Sequence, residues 1–305
     1  MDSQVYVVPS FSNGVLRRLN IAFSTWKHQG EINHITGDIT FAALAAKPSR
    51  TVLTILDCGD LAQRRDWKAT VLRKLWVEWP ARHVARITTI SEATKSDIIK
   101  LTGCPADRID VIPVAISTAF RRLQRLPQFE CPRILQVGTS VNKNLSRLIA
   151  ALRDLRCTLV IVGKLNEQIQ RELADSGVAF ENHVNLTEES LILEYEKSDI
   201  VAFASTYEGF GMPIVEAQTV GRPVVTSSIS SMPEVAGDGA CLVDPFDVQS
   251  IRAGFDRIVS DPGYASELIE RGFRNAERFD PEAIAAQYLR LYESISAELR
   301  VKKAV

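Results

Sequence analysis

The sequence has few of the features that mark a specialised class of protein. Its five cysteines are odd in number, widely scattered and without a C-x-x-C pair, so neither a disulfide framework nor a zinc site is predicted. No apolar run approaches the roughly 20 residues needed to span a bilayer, and the amino terminus lacks the basic start and apolar core of a signal peptide. These absences favour a soluble, cytoplasmic protein.

An excess of charge of either sign is also missing. Lysine and arginine number 36 and aspartate and glutamate 37, for a formal net charge of -1. This balance gives no general argument for nucleic-acid binding, so any attraction to phosphates must be local. The composition, with 46% hydrophobic residues, is that of an ordinary globular protein, and 305 residues exceed what one hydrophobic core usually supports. Two domains are therefore expected.

Short apolar runs alternate with amphipathic helical patterns along the chain, as is typical of β-α-β units with parallel strands. The pattern is interrupted at residues 117–132, where arginines and prolines collect and a linker is predicted. The same order of elements on both sides of this linker predicts an α/β protein of two Rossmann-like domains. The predicted strands are 50–57, 86–91, 109–114, 133–138, 157–163, 178–180 and 199–205, and the predicted helices are 92–102 (capped by Ser91 and stopped by Gly103), 144–154, 166–175, 188–197 and 281–300.

The stretch "STYEGFGMPIVEAQTVGRPVV" (205–225) lies between two predicted strands and predicts a binding site. Pro213 suits the first turn of a helix, and Gly221 suits its end. Gly209 and Gly211 therefore precede a helix N-terminus, where they permit close approach of a ligand. The free backbone N–H groups and the helix dipole favour an anion there, and a phosphate is the expected guest.

Two glutamates eight positions apart in this stretch identify the rest of the ligand. A carboxylate beside a diphosphate is repelled, so Glu208 and Glu216 are expected to face neutral parts of the same molecule. Glu216, one turn into the helix, can accept both hydrogen bonds of a ribose diol. Glu208 lies in the loop before the glycines, near the group that the phosphates carry. A diol, a diphosphate and a hydroxylated group together describe a nucleotide sugar.

The diphosphate also needs a positive charge, and no D-x-D triplet occurs in the chain to hold a divalent ion. Lys143 is the candidate, because it follows the strand 133–138 at the start of the next helix. Asn142 or Asn144 is expected to cap that helix. No metal and no separate cofactor are predicted, since the nucleotide sugar is the substrate.

The run from 199 to 245 resembles the donor-binding region of the retaining glycosyltransferases of family 4, which have the two-domain GT-B fold with a cleft between the domains. The spacing of Glu208 and Glu216 matches the family's E-x7-E motif, and "NKN" (142–144) matches its R-K-N segment with asparagine in place of arginine. The segment 87–116 also resembles the family's approach to the interdomain hinge. The resemblance covers roughly residues 30–290.

The resemblance implies a retaining hexosyltransferase that moves a sugar from a UDP- or GDP-sugar to a glycan, a lipid-linked sugar or a small molecule, in polysaccharide biosynthesis. Glu208 would contact the donor sugar near the reacting centre and Lys143 the phosphates, so both are predicted to be catalytic. Glu216 would bind the ribose. The other residues predicted to line the donor pocket are Gly138, Thr139, Asn144, Gly209, Phe210 and Gly211.

The predicted domains are a reduced acceptor-side domain at 1–117 and a donor-binding domain at 118–281. By resemblance, the closing helix at 282–305 crosses back to the first domain. Relatives begin with a strand, a glycine-rich turn and a helix, whereas about 50 residues precede the first predicted strand here, so a shortened first domain is expected. Relatives also carry T-I-H-D after that strand, with the histidine facing the donor sugar, and this chain has Leu56 there.

These two departures leave other functions open. One is a catalytically impaired protein of the same fold that binds nucleotide sugars or partners another transferase. Another is a nucleotide-sugar epimerase or a phosphorylase of the same architecture. A transferase should slowly hydrolyse its donor without acceptor, an epimerase should change the sugar while leaving it attached to the nucleotide, and a binding protein should do neither.

Two further features have alternative interpretations. The segment 64–80 mixes basic residues with three tryptophans, which suits either peripheral contact with an anionic membrane or a helix that buries its aromatic face. His34 is expected either to line the cleft or to pack in the first domain. No nucleic-acid partner is predicted.

Overall fold

The computed structural model describes residues 4–9, 11–59 and 67–304, and nothing is said below of the others. The chain divides into two compact units, one of Met1–Pro113 with Glu282–Val305 and the other of Val114–Pro281. Each is built on a parallel sheet, as the alternating pattern predicted. None of the helices in the described residues is long and apolar enough to span a membrane.

The first unit contains a four-stranded parallel sheet in the order β1-β2-β3-β4. Three of its strands follow the predicted runs, whereas the strand at residues 33–35 was not predicted. All four residues of the second strand are buried, as expected for a parallel sheet covered on both faces. The strands are β1 (Asn33–Ile35), β2 (Thr51–Thr54), β3 (Arg86–Thr89) and β4 (Ile109–Val111), and the helices are α1 (Val15–Lys27), α2 (Trp67–Arg73), α3 (Trp79–His83) and α4 (Glu92–Thr102).

The predicted caps of α4 are confirmed. The Ser91 hydroxyl accepts a hydrogen bond from the Thr94 backbone N–H at 3.1 Å, which satisfies one free donor of the first turn. Gly103 ends the helix in the left-handed region at φ 65°.

The tryptophan-rich segment 64–80 is only partly covered, because residues 64–66 lie outside the described residues. Trp76 packs against Phe41 with ring centroids 5.0 Å apart. Trp67 and Trp79 are 72% and 50% exposed. The aromatic residues are therefore divided between the interior and the surface, and contact with a membrane stays a prediction.

The second unit contains a six-stranded parallel sheet in the order β10-β9-β8-β5-β6-β7. The first strand, β5, lies inside the sheet, β6 and β7 follow on one side of it, and β8, β9 and β10 follow on the other side. The strands are β5 (Arg133–Val137), β6 (Thr158–Val162), β7 (Ala179–His183), β8 (Ile200–Phe203), β9 (Val224–Ser227) and β10 (Cys241–Val243), and the helices are α5 (Leu145–Ala151), α6 (Glu167–Ser176), α7 (Glu188–Lys197), α8 (Met212–Val220), α9 (Met232–Ala236), α10 (Val248–Ser260) and α11 (Pro262–Ala276).

This strand order places the candidate site. The strands β5 and β8 are neighbours, with Leu135 opposite Val201, although a long stretch of chain separates them. The order reverses at this pair, and in open α/β sheets ligands bind outside the carboxyl ends of the strands at such a switch point. The loops that follow β5 and β8 therefore meet at the same edge of the sheet.

Residues 117–132, which were predicted to be a linker, contain no helix or strand and group with the second unit. This segment is fixed by Arg222, a fully buried guanidinium. The Nη1 atom of Arg222 donates to the Arg125 carbonyl at 2.9 Å, and its Nη2 atom donates to the Glu196 carbonyl at 2.9 Å. The irregular segment is thereby tied to the end of α7.

The closing helix α12 (Pro281–Ala304) groups with the first unit from Glu282 onward. Its predicted apolar face is confirmed by Ile284, Leu291 and Ile295, which are buried.

All five cysteines are free thiols. Four are buried and Cys131 is exposed. Burial raises the pKa of Cys58 to about 12 and that of Cys157 to about 11. These buried thiols are therefore protonated at neutral pH.

Candidate functional site

The centre of the candidate site is an ion pair between the two loops at the sheet edge. Lys143 ends the 3₁₀ turn Val141–Lys143 that links β5 to α5, and Glu208 lies in the loop between β8 and α8. The Lys143 Nζ atom lies 2.7 Å from Glu208 Oε1, and the two side chains are 17% and 15% exposed. Lys143 Nζ also lies 4.5 Å from the centre of the Phe203 ring. The sequence-predicted lysine and glutamate are thus in direct contact.

Gly138 makes room for this lysine. It follows the last residue of β5 with φ 91°, and a Cβ atom at this position would lie 2.9 Å from Lys143 Cε. Any side chain here would strain the backbone and displace the lysine. The adjacent Thr139 donates a hydrogen bond to the Lys164 carbonyl at 2.8 Å, which fixes the turn after β5.

Asn142 joins the two loops. Its Nδ2 atom donates to Glu208 Oε1 at 3.1 Å and to the Tyr207 carbonyl at 3.0 Å. Its own carbonyl accepts from the Thr206 backbone N–H at 2.8 Å. The Ser140 hydroxyl donates to Asn142 Oδ1 at 2.6 Å and so fixes the orientation of the amide. Asn142 therefore holds Glu208 in place, a role that the sequence interpretation missed.

Asn144 is also committed to structure. The expectation that Asn142 or Asn144 caps the following helix is wrong, because α5 has no side-chain cap although Asn144 occupies the N-cap position. Its Nδ2 atom instead donates to the carbonyls of Ala204 and Pro245 at 3.0 and 2.6 Å. The side chain is buried and holds the chain just after β8 through the Ala204 carbonyl. A direct contact of Asn144 with a ligand stays a prediction.

The Glu208 loop is supported from its other side by two serines after β9. The Ser230 and Ser231 hydroxyls donate to the Glu208 carbonyl at 2.8 and 3.0 Å, and Ser231 also donates to the Phe210 carbonyl at 2.6 Å. Phe210 is buried against Phe279, with ring centroids 5.5 Å apart. The Phe210 side chain therefore anchors the loop, and its backbone remains near the site.

Helix α8 begins as predicted. Gly211 is the N-cap residue at φ 119°, Pro213 lies in the first turn, and Gly221 ends the helix at φ 80°. A Cβ atom on Gly211 would lie 3.1 Å from Ile214 and 3.3 Å from Phe203, so glycine is required for both conformation and packing. The nine-residue helix α8 thus begins after the loop that follows β8, and β8 is the neighbour of β5 in the sheet.

Glu216 lies one turn into α8 and is held by Tyr195 of α7. The Tyr195 hydroxyl donates to Glu216 Oε2 at 2.5 Å. Burial raises the pKa of Glu216, the hydrogen bond from Tyr195 lowers it, the charge of Glu188 raises it and that of Lys143 lowers it. Tyr195 is fully buried, which keeps its pKa well above the usual value. The tyrosine is therefore a permanent donor that orients the carboxylate.

A pocket of about 640 Å³ lies beside Glu216. This volume is in the range of small-molecule sites. Its walls are largely apolar, with three hydroxyl residues and two carboxylates among them. The lining residues are Ala115, Ile116, Ser117, Thr118, Phe120, Leu186, Thr187, Glu188, Leu191, Met212, Glu216 and Pro281. The arrangement can hold a flat apolar group near a carboxylate that accepts hydroxyl hydrogen bonds.

Two family models match the chain. "Glycosyltransferase Family 4" matches residues 9–120, and "Glycosyl transferases group 1" matches residues 126–275. The chain belongs to the family 4 glycosyltransferases. The resemblance inferred from the E-x7-E and N-K-N segments is thereby confirmed.

Two of the curated relatives of this chain are bacterial mannosyltransferases. The MMP alpha-(1→4)-mannosyltransferase of Mycolicibacterium hassiacum is 29% identical over 259 residues, which is 79% of this chain and 62% of that protein. The O-antigen chain mannosyltransferase B of Escherichia coli is 30% identical over 233 residues, which is 68% of this chain and 60% of that protein. The matched region thus spans about three-fifths of each relative.

Solved structures confirm the GT-B fold. HepE from Anabaena, in complex with UDP and glucose, superposes with a TM-score of 0.76 at 17% identity over 92% of this chain and 81% of that one. Sucrose-phosphate synthase from Thermosynechococcus elongatus gives a TM-score of 0.73 at 18% identity over 93% of this chain and 79% of that one.

The first unit of this family member contains a polar network of a different kind. His34 Nδ1 lies 2.6 Å from the Tyr292 hydroxyl, and His34 Nε2 lies 2.6 Å from the Thr54 hydroxyl. The Thr54 hydroxyl in turn lies 2.6 Å from that of Thr88. Burial lowers the pKa of His34 to about 4 and raises that of Tyr292 to about 12. The network is therefore uncharged at neutral pH, and His34 packs and hydrogen-bonds within its unit.

Leu56 follows β2 and is 47% exposed. Its side chain has no hydrogen-bond donor, whereas the resemblance predicts a histidine at this position. Among the described residues, no three His, Cys, Asp or Glu side chains are grouped so that they could hold a metal ion.

Proposed function

We propose that this protein transfers a sugar from a nucleoside diphosphate sugar to an acceptor hydroxyl, with retention of configuration and without a metal ion. The observation that carries the proposal is the contact of Lys143 with Glu208 at the carboxyl ends of β5 and β8, beside the Tyr195-held Glu216. The two curated relatives named above are mannosyltransferases, which supports mannose as the transferred sugar.

The positive charge for the leaving diphosphate would come from Lys143 and the N-terminus of α8. A lysine ammonium is a compact charge that neutralises phosphate, and free backbone N–H groups at a helix start bind it. Because Lys143 is paired with Glu208, an arriving diphosphate competes with this carboxylate for the ammonium. Electrostatic stabilisation that strengthens as the bond to phosphate breaks is the largest contribution expected in such a site.

The bond changes require no group beyond the substrates and these residues. The acceptor oxygen forms a bond to the anomeric carbon on the face from which the diphosphate departs. The bond between this carbon and the phosphate oxygen breaks, and that oxygen takes the acceptor proton. Glu208 would contact the donor sugar close to the developing positive charge, and Glu216 would accept the hydrogen bonds of the ribose diol.

The acceptor is proposed to be a sugar, free or linked to lipid, in polysaccharide biosynthesis. The exposed Trp67 and Trp79 beside basic residues support peripheral contact with an anionic membrane that presents such an acceptor.

One observation favours a second candidate, a nucleotide-sugar-binding protein with impaired turnover. Leu56 is an exposed apolar residue in place of the family's histidine. Such a protein would keep the Glu216 contact with ribose and lose most of the sugar-transfer activity.

A thermal-shift titration with UDP, GDP, ADP and their common sugars tests the proposal. A ligand at about 100 times its Kd should stabilise the native state by about 2.7 kcal/mol. We expect a shift with one nucleotide that is lost in Glu216→Ala, followed by slow release of free sugar from the matching donor. Binding without sugar release from any donor, with or without acceptors, would favour the second candidate. The absence of any shift would overturn both.

A further inference from the structure

The lining of the pocket beside Glu216 has an unusual charge distribution for a nucleotide site. It contains two carboxylates, Glu188 and Glu216, and no lysine or arginine. The negative charge of Glu188 raises the pKa of Glu216, so the two carboxylates are close enough to interact. This part of the pocket therefore suits a neutral group that presents hydrogen-bond donors, and the phosphates belong near Lys143.

Glu188 is not needed to cap its own helix. It is the first residue of α7, whose N-cap Thr187 accepts a hydrogen bond from the Ser190 backbone N–H at 3.3 Å. The next residue, Glu189, is the one stabilised by this helix start, because a backbone N–H and the Thr187 hydroxyl lower its pKa. Within the described part of the chain Glu188 has no ion-pair partner. Its exposed carboxylate is thus free to bind a ligand.

The apolar walls favour a flat ring system next to this carboxylate. Ile116, Leu191 and Met212 line the same pocket, which at about 640 Å³ has room for a purine with its ribose. A base held among these side chains, with its ribose on Glu216, would direct one edge to the Glu188 side of the pocket.

The nucleobases differ in what that edge offers. Guanine presents two adjacent donors, the N1–H and the exocyclic amine, and an ionised carboxylate can accept both with its two oxygens. Uracil presents one donor between two carbonyl oxygens, which repel a carboxylate. Adenine presents a ring nitrogen acceptor beside its amine, so only one of the two hydrogen bonds forms.

We propose that Glu188 selects guanine, so that the donor is a guanosine diphosphate sugar. This inference rests on the proposed function, because it assigns the base to the same donor site. Glu188 acts on the base alone, and Glu216 and Lys143 contact parts of the donor that all nucleoside diphosphates share.

Isothermal titration with GDP, IDP, UDP and ADP tests the assignment. IDP keeps the N1–H of guanine and lacks its exocyclic amine, so it measures one of the two hydrogen bonds. A bidentate contact of this kind discriminates between bases by roughly 5- to 150-fold. We expect GDP to bind about 10-fold more tightly than IDP and more tightly still than UDP or ADP.

The variants Glu188→Gln and Glu189→Gln form a matched pair, because both remove one negative charge from the first turn of α7. Glu188→Gln should weaken GDP binding about 10-fold and bring it close to that of IDP, with UDP changed less than about 2-fold. Glu189→Gln should leave the order of the four nucleotides unchanged.

The contrary results are distinct. Binding of UDP as tight as that of GDP, or equal loss of GDP binding in the two variants, would overturn the guanine assignment and leave the proposed function standing. Failure of all four nucleotides to bind would overturn the proposed function, and the assignment with it.

Discussion

The two units of the protein differ in the side chains near the carboxyl ends of their parallel strands: one unit has a charged pair there, and the other has uncharged hydrogen bonds. In the unit Val114–Pro281, the loops after β5 and β8 bring together an ammonium and a carboxylate that share one close contact. In the other unit, β1, β2 and β3 end in a chain of uncharged hydrogen bonds through His34, Thr54 and Thr88.

This difference indicates that the charged pair is suited to ligand binding and the uncharged network to the stability of its unit. Two partly buried charges that pair with each other can exchange that partner for a charged ligand. An uncharged network with both imidazole nitrogens in use gives little to a ligand and contributes to the stability of its unit. Substitutions in the two regions should therefore affect different measurements.

The largest effect is expected at Lys143. Among the described residues, Lys143 is the one cationic side chain in direct contact with Glu208, and Asn142 contacts it through a neutral amide. Lys143→Met removes this cation. Loss of one such electrostatic contact in a transition state costs about 100- to 1,000-fold in turnover. Donor turnover, measured as sugar release or transfer, should fall by this factor. Lys164→Met is the control, because Lys164 is exposed and contributes only its carbonyl to Thr139. Equal losses in both variants would remove Lys143 from the proposed site.

The next effect distinguishes the two glutamates. Glu208→Ala should mainly remove turnover, by about 100-fold, because Glu208 contacts the sugar end of the donor in the proposed site. It should not weaken nucleotide binding, because its loss leaves Lys143 available to the phosphates. Glu216→Ala should weaken nucleoside diphosphate binding about 10-fold through the lost ribose hydrogen bonds. Calorimetry and turnover assays on both variants measure the two effects. The assignment of roles fails if both variants lose nucleotide binding equally.

A change at His34 should affect stability through its pH dependence. Its pKa is about 4 in the folded protein and about 6.5 when unfolded, so between these values the unfolded chain binds a proton that the native state does not. The free energy of unfolding should therefore fall as the pH drops from 6.5 to 4, by at most about 3 kcal/mol from this group.

Urea unfolding of the wild type and His34→Gln at pH 7 and pH 4.5 measures this contribution as the difference between the two proteins. The variant should lose less stability than the wild type over this interval. Equal losses would mean that His34 is not held as the neutral form.

The smallest effect is expected from Leu56→His. This substitution adds the donor that family members carry after β2, at a position that is already half exposed and so should tolerate it. A single added hydrogen bond of about 1 kcal/mol corresponds to roughly a five-fold gain in turnover. Leu56→Gln serves as the control for added polarity. No gain over that control would show that another group already fills this role.

The sequence predicted the fold well, because the fold depends on local pattern, and the same pattern selected the candidate site residues, whose roles stay predictions. The buried run of β8 and the glycine and proline positions around α8 are readable from spacing alone. Lys143 and Glu208 could be selected because each lies in the loop after a predicted strand, and Glu216 because it lies one turn into the predicted helix.

The contacts among these residues could not be predicted. Lys143 and Glu208 are 65 positions apart, and only the pairing of β5 with β8 brings them together. Tyr195 looks like any core aromatic on a helix, and nothing local to it indicates that its hydroxyl binds Glu216. Asn142 was expected as a possible helix cap, and nothing local to it indicates that its side chain links two loops.

The distribution of thiols makes the unit Val114–Pro281 accessible to selective chemical labelling. Cys131 is exposed at the end of the irregular segment, two residues before β5, and the other four cysteines are buried. A maleimide dye at neutral pH should therefore attach at one position without any engineered cysteine. Its fluorescence would report on the chain that leads directly into the strand before Lys143.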